Sequence, residues 1–354
     1  MKLSLMIIFG GESNEYEVSL RSAAAVIANA DKEKYDIIKM GITKSGEWNL
    51  YNGPVEKIAN GEWVSDLKNT VHVAILPKGN QSALICLNGT MKQIRPDVIF
   101  PVIHGQNSED GKLQGVLELL HIPYIGCKCF SSALCMDKSA TKQILKDLDI
   151  PMAKWVDIRK SDINDALYEK LERELGYPMF IKPSNSGSSV GASKAETRKE
   201  LVSALELAAS VDTKILAEEY IDAREIETAV LDGLTKTTVS MTGEIEPCSQ
   251  FYDYDTKYNS DVANYYIPSR ISPSTEEKVR EYALKIFRTL DCSELSRVDF
   301  FVTKDDERIV FNEINTLPGF TSISMYPKLM EKAGVPFSQL IDELVKSAVG
   351  RYSL

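Results

Sequence analysis

Apolar residues fall in short runs along this chain, and the polar residues between them sort the runs into strands and helices. Leu3 to Phe9 is a nearly unbroken apolar run, the pattern of a strand covered on both faces. It ends at Gly10-Gly11, and the Ala-rich stretch Val18 to Ala30 after it has helical character. Tyr35 to Ile42, Val71 to Leu76, Ala83 to Leu87 and Asp97 to Ile103 read as further strands, with Asn88-Gly89 as a hairpin signal. A Gly- and acid-rich loop from His104 to Gly111 leads into a helix through Leu120. Ile122 to Ile125 is a short apolar stretch, and Ser131 is expected to cap a helix containing Met136, Asp137 and Lys138. Strand, Gly turn and helix is how an open α/β sheet begins, and ligands sit at the carboxyl ends of its strands.

Pro151 breaks the pattern and a new module starts. Asp162 to Leu175 and Leu201 to Ala209 are predicted helices; Pro178 to Ile181, Lys214 to Ile221 and Glu225 to Leu231 are predicted strands. From Cys248 to Pro268 no period is visible, yet the stretch holds six Tyr or Phe. A long aromatic loop of this kind reads as a lid that packs over something. A helix from Glu276 to Leu290 precedes two strands, Val298 to Val302 and Arg308 to Ile314, joined by the polar turn TKDDE. A last helix runs from Pro336 to Val349.

That final hairpin carries chemistry. Folded about Asp306, it sets Asp299 opposite Glu313 and Phe301 opposite Phe311. Residues two apart on a strand share a side, so Asn315 joins Glu313 and Arg297 joins Asp299. Three oxygen ligands and one cation then lie on one face. Asp, Glu and Asn without His or Cys suit magnesium, which binds through one or two carboxylates and takes phosphate oxygens and water for the rest. A solvated outer face is the plainer reading of one charged strand. It is weakened here because Phe300, Phe301, Val310, Phe311 and Ile314 make the hairpin look like core, where charges need partners.

Other positions are less specific. The loop Ser184 to Gly191 offers backbone N–H groups and hydroxyls to phosphate, with Lys182 at the strand end beside it. It is not a Walker A loop, and Gly10-Gly11 does not complete a dinucleotide fingerprint, which removes the dehydrogenase reading. Glu15 lies at a helix start, where dipole complementarity is the common explanation. His104, ending a buried strand before a Gly- and acid-rich loop, holds a ligand-site position, although a structural hydrogen bond is the more frequent role of a lone His.

At 354 residues the chain is long enough for two or three domains. Its net charge of −10 argues against nucleic acid or an anionic membrane as partner. No apolar run reaches the length of a membrane span, and MKLSLMIIFGG reads as a first strand rather than a signal peptide. Six cysteines form no disulfide framework or zinc spacing, so a cytoplasmic protein with reduced thiols is expected.

The stretches GGESNEYEVSL, HGQNSEDGKLQG, CMDKSATK, IKPSNSGSSVG, EEYIDAREIE, FYDYDTKY, SRVDFF and FNEINTLPGFTSISMYP, in this order, resemble the D-alanine–D-alanine ligase family of the ATP-grasp superfamily. The resemblance runs from residue 3 to about 349. It implies an ATP-grasp α/β fold of three domains, 1–126, 127–221 and 222–354, and ligation of two D-alanines through an acyl phosphate. ATP would contact Lys138 and Lys182 with its phosphates, Glu218 with its adenine amino group and Glu225 with its ribose. Ser186 to Gly191, including Ser188 and Ser189, would cover the phosphates. Asp299, Glu313 and Asn315 would hold two magnesium ions, with manganese as a substitute. Glu15 would hold the first ammonium. Arg297 and the N–H of Gly319 would stabilise the oxyanion, and Ser324 and Met325 would line the second-substrate pocket. His104 and Glu109 would lie at the substrate site. Ser188, Glu109 and Tyr258 would form a triad, and Lys257 would reach the transferred phosphate. A homodimer is implied.

Ser108, Ala223 and Tyr16 depart from the family's usual Gly, Gly, and His or Arg. NEYEVSL, GITKSGEW and SSALCMDK resemble D-alanine–D-serine ligases of vancomycin-resistance type, whereas SMYPKL resembles the D-alanine–D-alanine enzymes. Tyr258 stands where D-lactate ligases commonly have His. Two rivals stay open: D-serine in the second site, and a nucleotide-binding protein without activity, the second disfavoured because Arg297, Asp299, Glu313 and Asn315 are all present.

Overall fold

A computed structural model describes residues 2–247 and 263–352, and three sheets organise them. The first is built from β1 (Leu3–Gly10), β2 (Tyr35–Ile42), β3 (Trp48–Tyr51), β4 (Thr70–Leu76), β5 (Ala83–Cys86), β6 (Gln93–Ile94) and β7 (Val98–Pro101), with α1 (Tyr16–Asn29) and α2 (Val55–Ala59) between them. Its order is β6-β5-β4-β3-β2-β1-β7. β1 runs parallel to β2 and to β7, so the loops after β1 and β7 leave the same edge. Those loops carry Glu15 and His104. The expectation for β1 holds: Leu5 to Phe9 are fully buried. Leu5, Ile7 and Phe9 face α1, while Met6 and Ile8 face α3 (Lys112–Leu120).

β3 was not legible, because four residues are too few to show a period. The Asn88-Gly89 turn is also wider than a two-residue hairpin, since the Cys86 N–H reaches Lys92 O at 2.9 Å. Ser131 does not cap a helix. It lies inside α4 (Cys129–Met136) and its hydroxyl donates to Asp291 O at 2.6 Å. Asp137 instead ends α4 and caps α5 (Lys138–Leu145), accepting from the Ala140 N–H at 3.0 Å.

The second sheet holds β8 (Trp155–Arg159), β9 (Met179–Pro183), β10 (Ser193–Ala195) and β11 (Lys214–Glu219) in the order β10-β9-β11-β8, all antiparallel. Helices α6 (Asp165–Glu174) and α7 (Arg198–Val211) pack Leu171, Leu201 and Leu205 against Ile181 and Ile215.

The third sheet is β14-β13-β12-β15-β16, from β12 (Ala223–Asp232), β13 (Thr237–Pro247), β14 (Ala263–Tyr266), β15 (Leu295–Thr303) and β16 (Ile309–Asn315). α8 (Pro273–Thr289) and α4 cover one face, where Val298, Phe300, Phe311 and Ile314 are buried with Phe287 and Leu134. The aperiodic reading of 248–268 fails at its end, where β14 pairs with β13; residues 248–262 lie outside the described residues. α9 (Met325–Lys332) and α10 (Phe337–Tyr352) close the chain. α10 returns to the first sheet, with Asp342 paired to Lys34 and accepting from the Tyr35 hydroxyl at 2.9 Å.

The hairpin register differs from the expected one. Asp299 does face Glu313 and Arg297 faces Asn315, but Phe301 faces Val310 and Phe300 faces Phe311. A β-bulge between Asp299 and Phe300 shifts the pairing by one residue, Asn312. The shift lets both the buried Phe pair near the turn and the polar pair near the end keep their proper faces. Without it, a strict period of two would bring Glu313 onto the side of Phe311.

Candidate active site

The bulged face of β15 and β16 forms the floor of a cavity of about 410 Å³, adjoining a second of about 740 Å³ under the second sheet. Gly187, Ser188, Glu225, Phe301, Asn312 and Glu313 line both, so the two form one cleft.

The carboxylate end is a tight ionic cluster. Arg297 donates from Nε to Asp299 Oδ1 at 2.8 Å and from Nη2 to Oδ2 at 2.7 Å. Its Nε also lies 3.1 Å from Glu227 Oε2, and Asn315 Nδ2 donates to Asp299 Oδ2 at 2.9 Å. Burial opposes the charge on Arg297, but Asp299 and Glu227 outweigh it and raise its pKa far above its ordinary value. Lys138 Nζ stands 3.3 Å from Glu313 Oε2. Among the described residues no three His, Cys, Asp or Glu side chains converge as a metal cage. Two carboxylates and an amide are a partial, all-oxygen set. That chemistry fits magnesium that completes its shell with phosphate and water, and it does not fit zinc.

The cationic end faces them. Asp137 holds the start of α5 by accepting from Ser184 Oγ at 2.7 Å and pairing with Lys214 at 2.8 Å. Lys138, next in sequence, then donates to Ser186 O at 2.7 Å. The Ser/Gly loop wraps past it, with Ser188 and Ser189 in left-handed backbone conformation at φ of 50° and 58°. Ser189 lines the cleft. Lys182 ends β9 and contacts Glu218 at 2.6 Å, and Asn312 Oδ1 at 3.5 Å. Glu218 and Glu225 line the same wall.

The opposite end gathers the loops of the first sheet. Ser188 donates to Glu15 across the cleft. Glu109 accepts the N–H groups of Gly105 at 2.9 Å and Leu317 at 3.0 Å, and burial together with Glu15 pushes its carboxyl well above the usual range. His104 is buried, with Nε2 3.0 Å from Ser22 Oγ and Nδ1 2.9 Å from Leu317 O. Burial pulls its pKa down to about 4, so it is neutral. Gly319 lies where a Cβ would meet Ser324 Oγ at 2.8 Å. Ser324 Oγ accepts from the Thr321 N–H at 3.1 Å at the start of α9, and Met325 beside it is buried.

The cleft thus brings together Glu15, His104, Glu109, Lys138, Lys182, Ser188, Ser189, Glu218, Glu225, Arg297, Asp299, Glu313, Asn315, Gly319, Ser324 and Met325. Lys257 and Tyr258 lie outside the described residues. Sequence reasoning missed three residues. Glu227 sits two after Glu225 on a strand and shares its face. Lys142 sits four after Lys138 on one helix face. Asn312 gave no signal, because only the bulge turns it toward Lys182.

A cleft between two antiparallel sheets, with two lysines beside a Ser/Gly loop and facing an acidic hairpin, is the ATP-grasp arrangement. Solved ligases carry the same fold: VanG D-Ala:D-Ser ligase from Enterococcus faecalis has a TM-score of 0.89 and 42% identity, covering 99% of this chain and 100% of that one. The D-alanine-D-alanine ligase from Coxiella burnetii has a TM-score of 0.86 and 32% identity, covering 99% and 96%. The models "D-ala D-ala ligase N-terminus" and "D-ala D-ala ligase C-terminus" match residues 4–127 and 144–346. A D-alanine--D-alanine ligase of Ruminiclostridium cellulolyticum is 48% identical over 99% of this chain and 96% of its own length. The chain belongs to the D-alanine–D-alanine ligase family.

Proposed function

We propose that the protein joins two D-alanines into D-alanyl-D-alanine at the expense of ATP, a step of peptidoglycan precursor synthesis. The observation that carries this reading is the side-by-side placement of Arg297 with Asp299, Glu313 and Asn315 at the floor of a cleft walled by Lys138 and Lys182. A phosphate-transfer site alone would need the lysines and carboxylates. A guanidinium and the Gly319 N–H beside them suit a second task, stabilising the oxyanion of an acyl transfer.

Lys138, Lys182 and the loop Ser186 to Gly191 bind the phosphates. Glu218 and Glu225 take the adenine amino group and the ribose, and Lys257 reaches the transferred phosphoryl group. Asp299, Glu313 and Asn315 would hold magnesium, which when bound neutralises charge on the phosphates. Glu15 orients the first D-alanine through its ammonium, so that its carboxylate takes the γ-phosphoryl group and becomes an acyl phosphate. The amine of the second D-alanine then attacks that carbonyl and phosphate leaves. Ser324 holds the second carboxylate. Ser188, bridging to Glu15, and Tyr258 keep water from the acyl phosphate. The chain is divided at about residues 126 and 221, and works as a cytoplasmic homodimer. Among the described residues no helix is long and apolar enough to cross a membrane.

D-Serine as second substrate is the other reading, favoured by the likeness to the VanG structure. Met325 weighs against it, because a buried thioether gives a serine hydroxyl only a weak acceptor. The test is phosphate release with magnesium and ATP, first with D-alanine alone and then with added D-serine or D-lactate, the products identified by mass. D-Alanyl-D-alanine little changed by the competitors is expected. A dominant mixed product moves the protein to the second reading, and no product from any mixture overturns both.

A further inference from the structure

Lys142 lies behind the cleft wall rather than in it. It is 1% exposed, and its Nζ sits 2.5 Å from Glu218 Oε1 and 5.3 Å from the centre of the Trp155 ring. Glu218 Oε2 is taken by Lys182 at 2.6 Å. Glu218 therefore carries one lysine on each carboxylate oxygen. The two lysines differ in what else they can reach. Lys182 and Glu218 line the cleft, and Lys182 also touches Asn312. Lys142 is enclosed, and Glu218 is its one ion-pair partner among the described residues.

This asymmetry matters once phosphate enters. An anion beside Lys182 competes with Glu218 for its ammonium. A carboxylate buried to 5% exposure that loses its sole counter-charge takes up a proton instead. With Lys142 in place it keeps one. We propose that Lys142 is a positioning residue that keeps Glu218 ionised and aimed while Lys182 serves phosphate, and so sets the preference for a purine with an amino group at position 6. The proposal rests on the reading of this cleft as a nucleotide site. An ionised carboxylate only accepts hydrogen bonds, so it pairs with a 6-amino group and repels a 6-oxo oxygen; a protonated one can donate to the oxo group. In the structure burial pushes Glu218 up, but Lys182 and Lys142 overcome it and hold it at about 2.

The test compares kcat and KM for ATP and inosine triphosphate, which differ at that position, in the wild type, Lys142→Met, Lys142→Gln and Lys142→Arg. A hydrogen bond to a charged group decides about 10- to 100-fold in preference. Lys142→Met and Lys142→Gln are expected to lose ATP preference by that factor, mainly through KM for ATP, and Lys142→Arg to restore it to within about threefold. If Lys142→Met does not fold, the polar Lys142→Gln reads the same quantity. An active Lys142→Gln protein with the wild-type ratio overturns the role given to Lys142, whatever its melting temperature. A wild type that consumes neither nucleotide overturns the underlying reading of the cleft instead.

Discussion

His104 Nδ1 lies 2.9 Å from the carbonyl oxygen of Leu317, 213 residues further along the chain. With Nε2 facing Ser22, which also receives the Phe320 N–H at 3.3 Å, the ring ties the first sheet to the loop that carries Gly319. The arrangement uses a neutral imidazole. Unfolded, His104 takes a proton near pH 6.5; folded, it resists to about 4. Between those values the unfolded chain binds more protons, so stability is full above pH 6.5 and falls as pH drops toward 4. The loss amounts to about 3 kcal/mol across that window. Urea unfolding at pH 7.5 and 4.5 should show wild type losing more than His104→Gln on acidification. Parallel losses would mean that the ring is not held neutral.

Glu313 is the carboxylate that both faces Asp299 and meets Lys138. Its side chain is 23% exposed and lines the cleft. Glu313→Gln keeps the shape and removes the charge. Turnover should fall by at least about 100-fold, with the melting temperature within a few degrees of wild type. Near-normal dipeptide synthesis would sink the metal role given to this cluster.

Met325 packs on a position with no side chain. A Cβ at Gly243 would stand 2.6 Å from Met325 Sδ and 3.0 Å from its Cε. In Gly243→Ala the thioether has to move, and the cavity that Met325 lines offers the space. The KM for the second amino acid should rise several-fold while the KM for ATP stays put. Equal shifts in both would show that the strand, not the pocket, had been disturbed.

Much of this was readable in advance where one physical rule governed the residues. The buried run Leu5 to Phe9 announced β1, because a strand covered on both faces has no polar positions to hide. Asp299, Glu313, Asn315 and Arg297 fell together from strand periodicity alone. The Ser/Gly loop and Lys182 were also readable as a phosphate site from composition and position, whereas the adenine, ribose and substrate residues came from resemblance, since spacing gives no reason to single out Glu225 or Ser324. What stayed hidden depended on contacts between distant segments. Asn312 joins the cleft through a bulge, and a bulge leaves no mark in the pattern of polarity. Lys142 looked like any lysine on a helix until β11 placed Glu218 against it. Asp137 reads as helix interior in the sequence, yet its carboxylate caps α5 through the Ala140 N–H and is held there by Ser184 and Lys214, which only the second sheet brings in.

Ser188 and Glu15 meet across 173 residues, joining the loop of the second sheet to the start of α1. Glu15 is buried, and the half-buried Glu109 is close enough to feel its charge. The Ser188 hydroxyl therefore does two things: it donates to a carboxylate that water reaches poorly, and it pins the loop over the space where an acyl phosphate would form. Removing the hydroxyl leaves the loop backbone intact, so ATP should still bind with little change in KM. Closure should weaken by about 1.5–3 kcal/mol, the worth of a hydrogen bond to a charged group. More of the activated intermediate is then lost to water before the second amine arrives. Ser188→Ala should release phosphate in clear excess over dipeptide, and the excess should shrink as the second amino acid approaches saturation. A one-to-one ratio at every concentration would show that the contact holds Glu15 in place but does not keep water out.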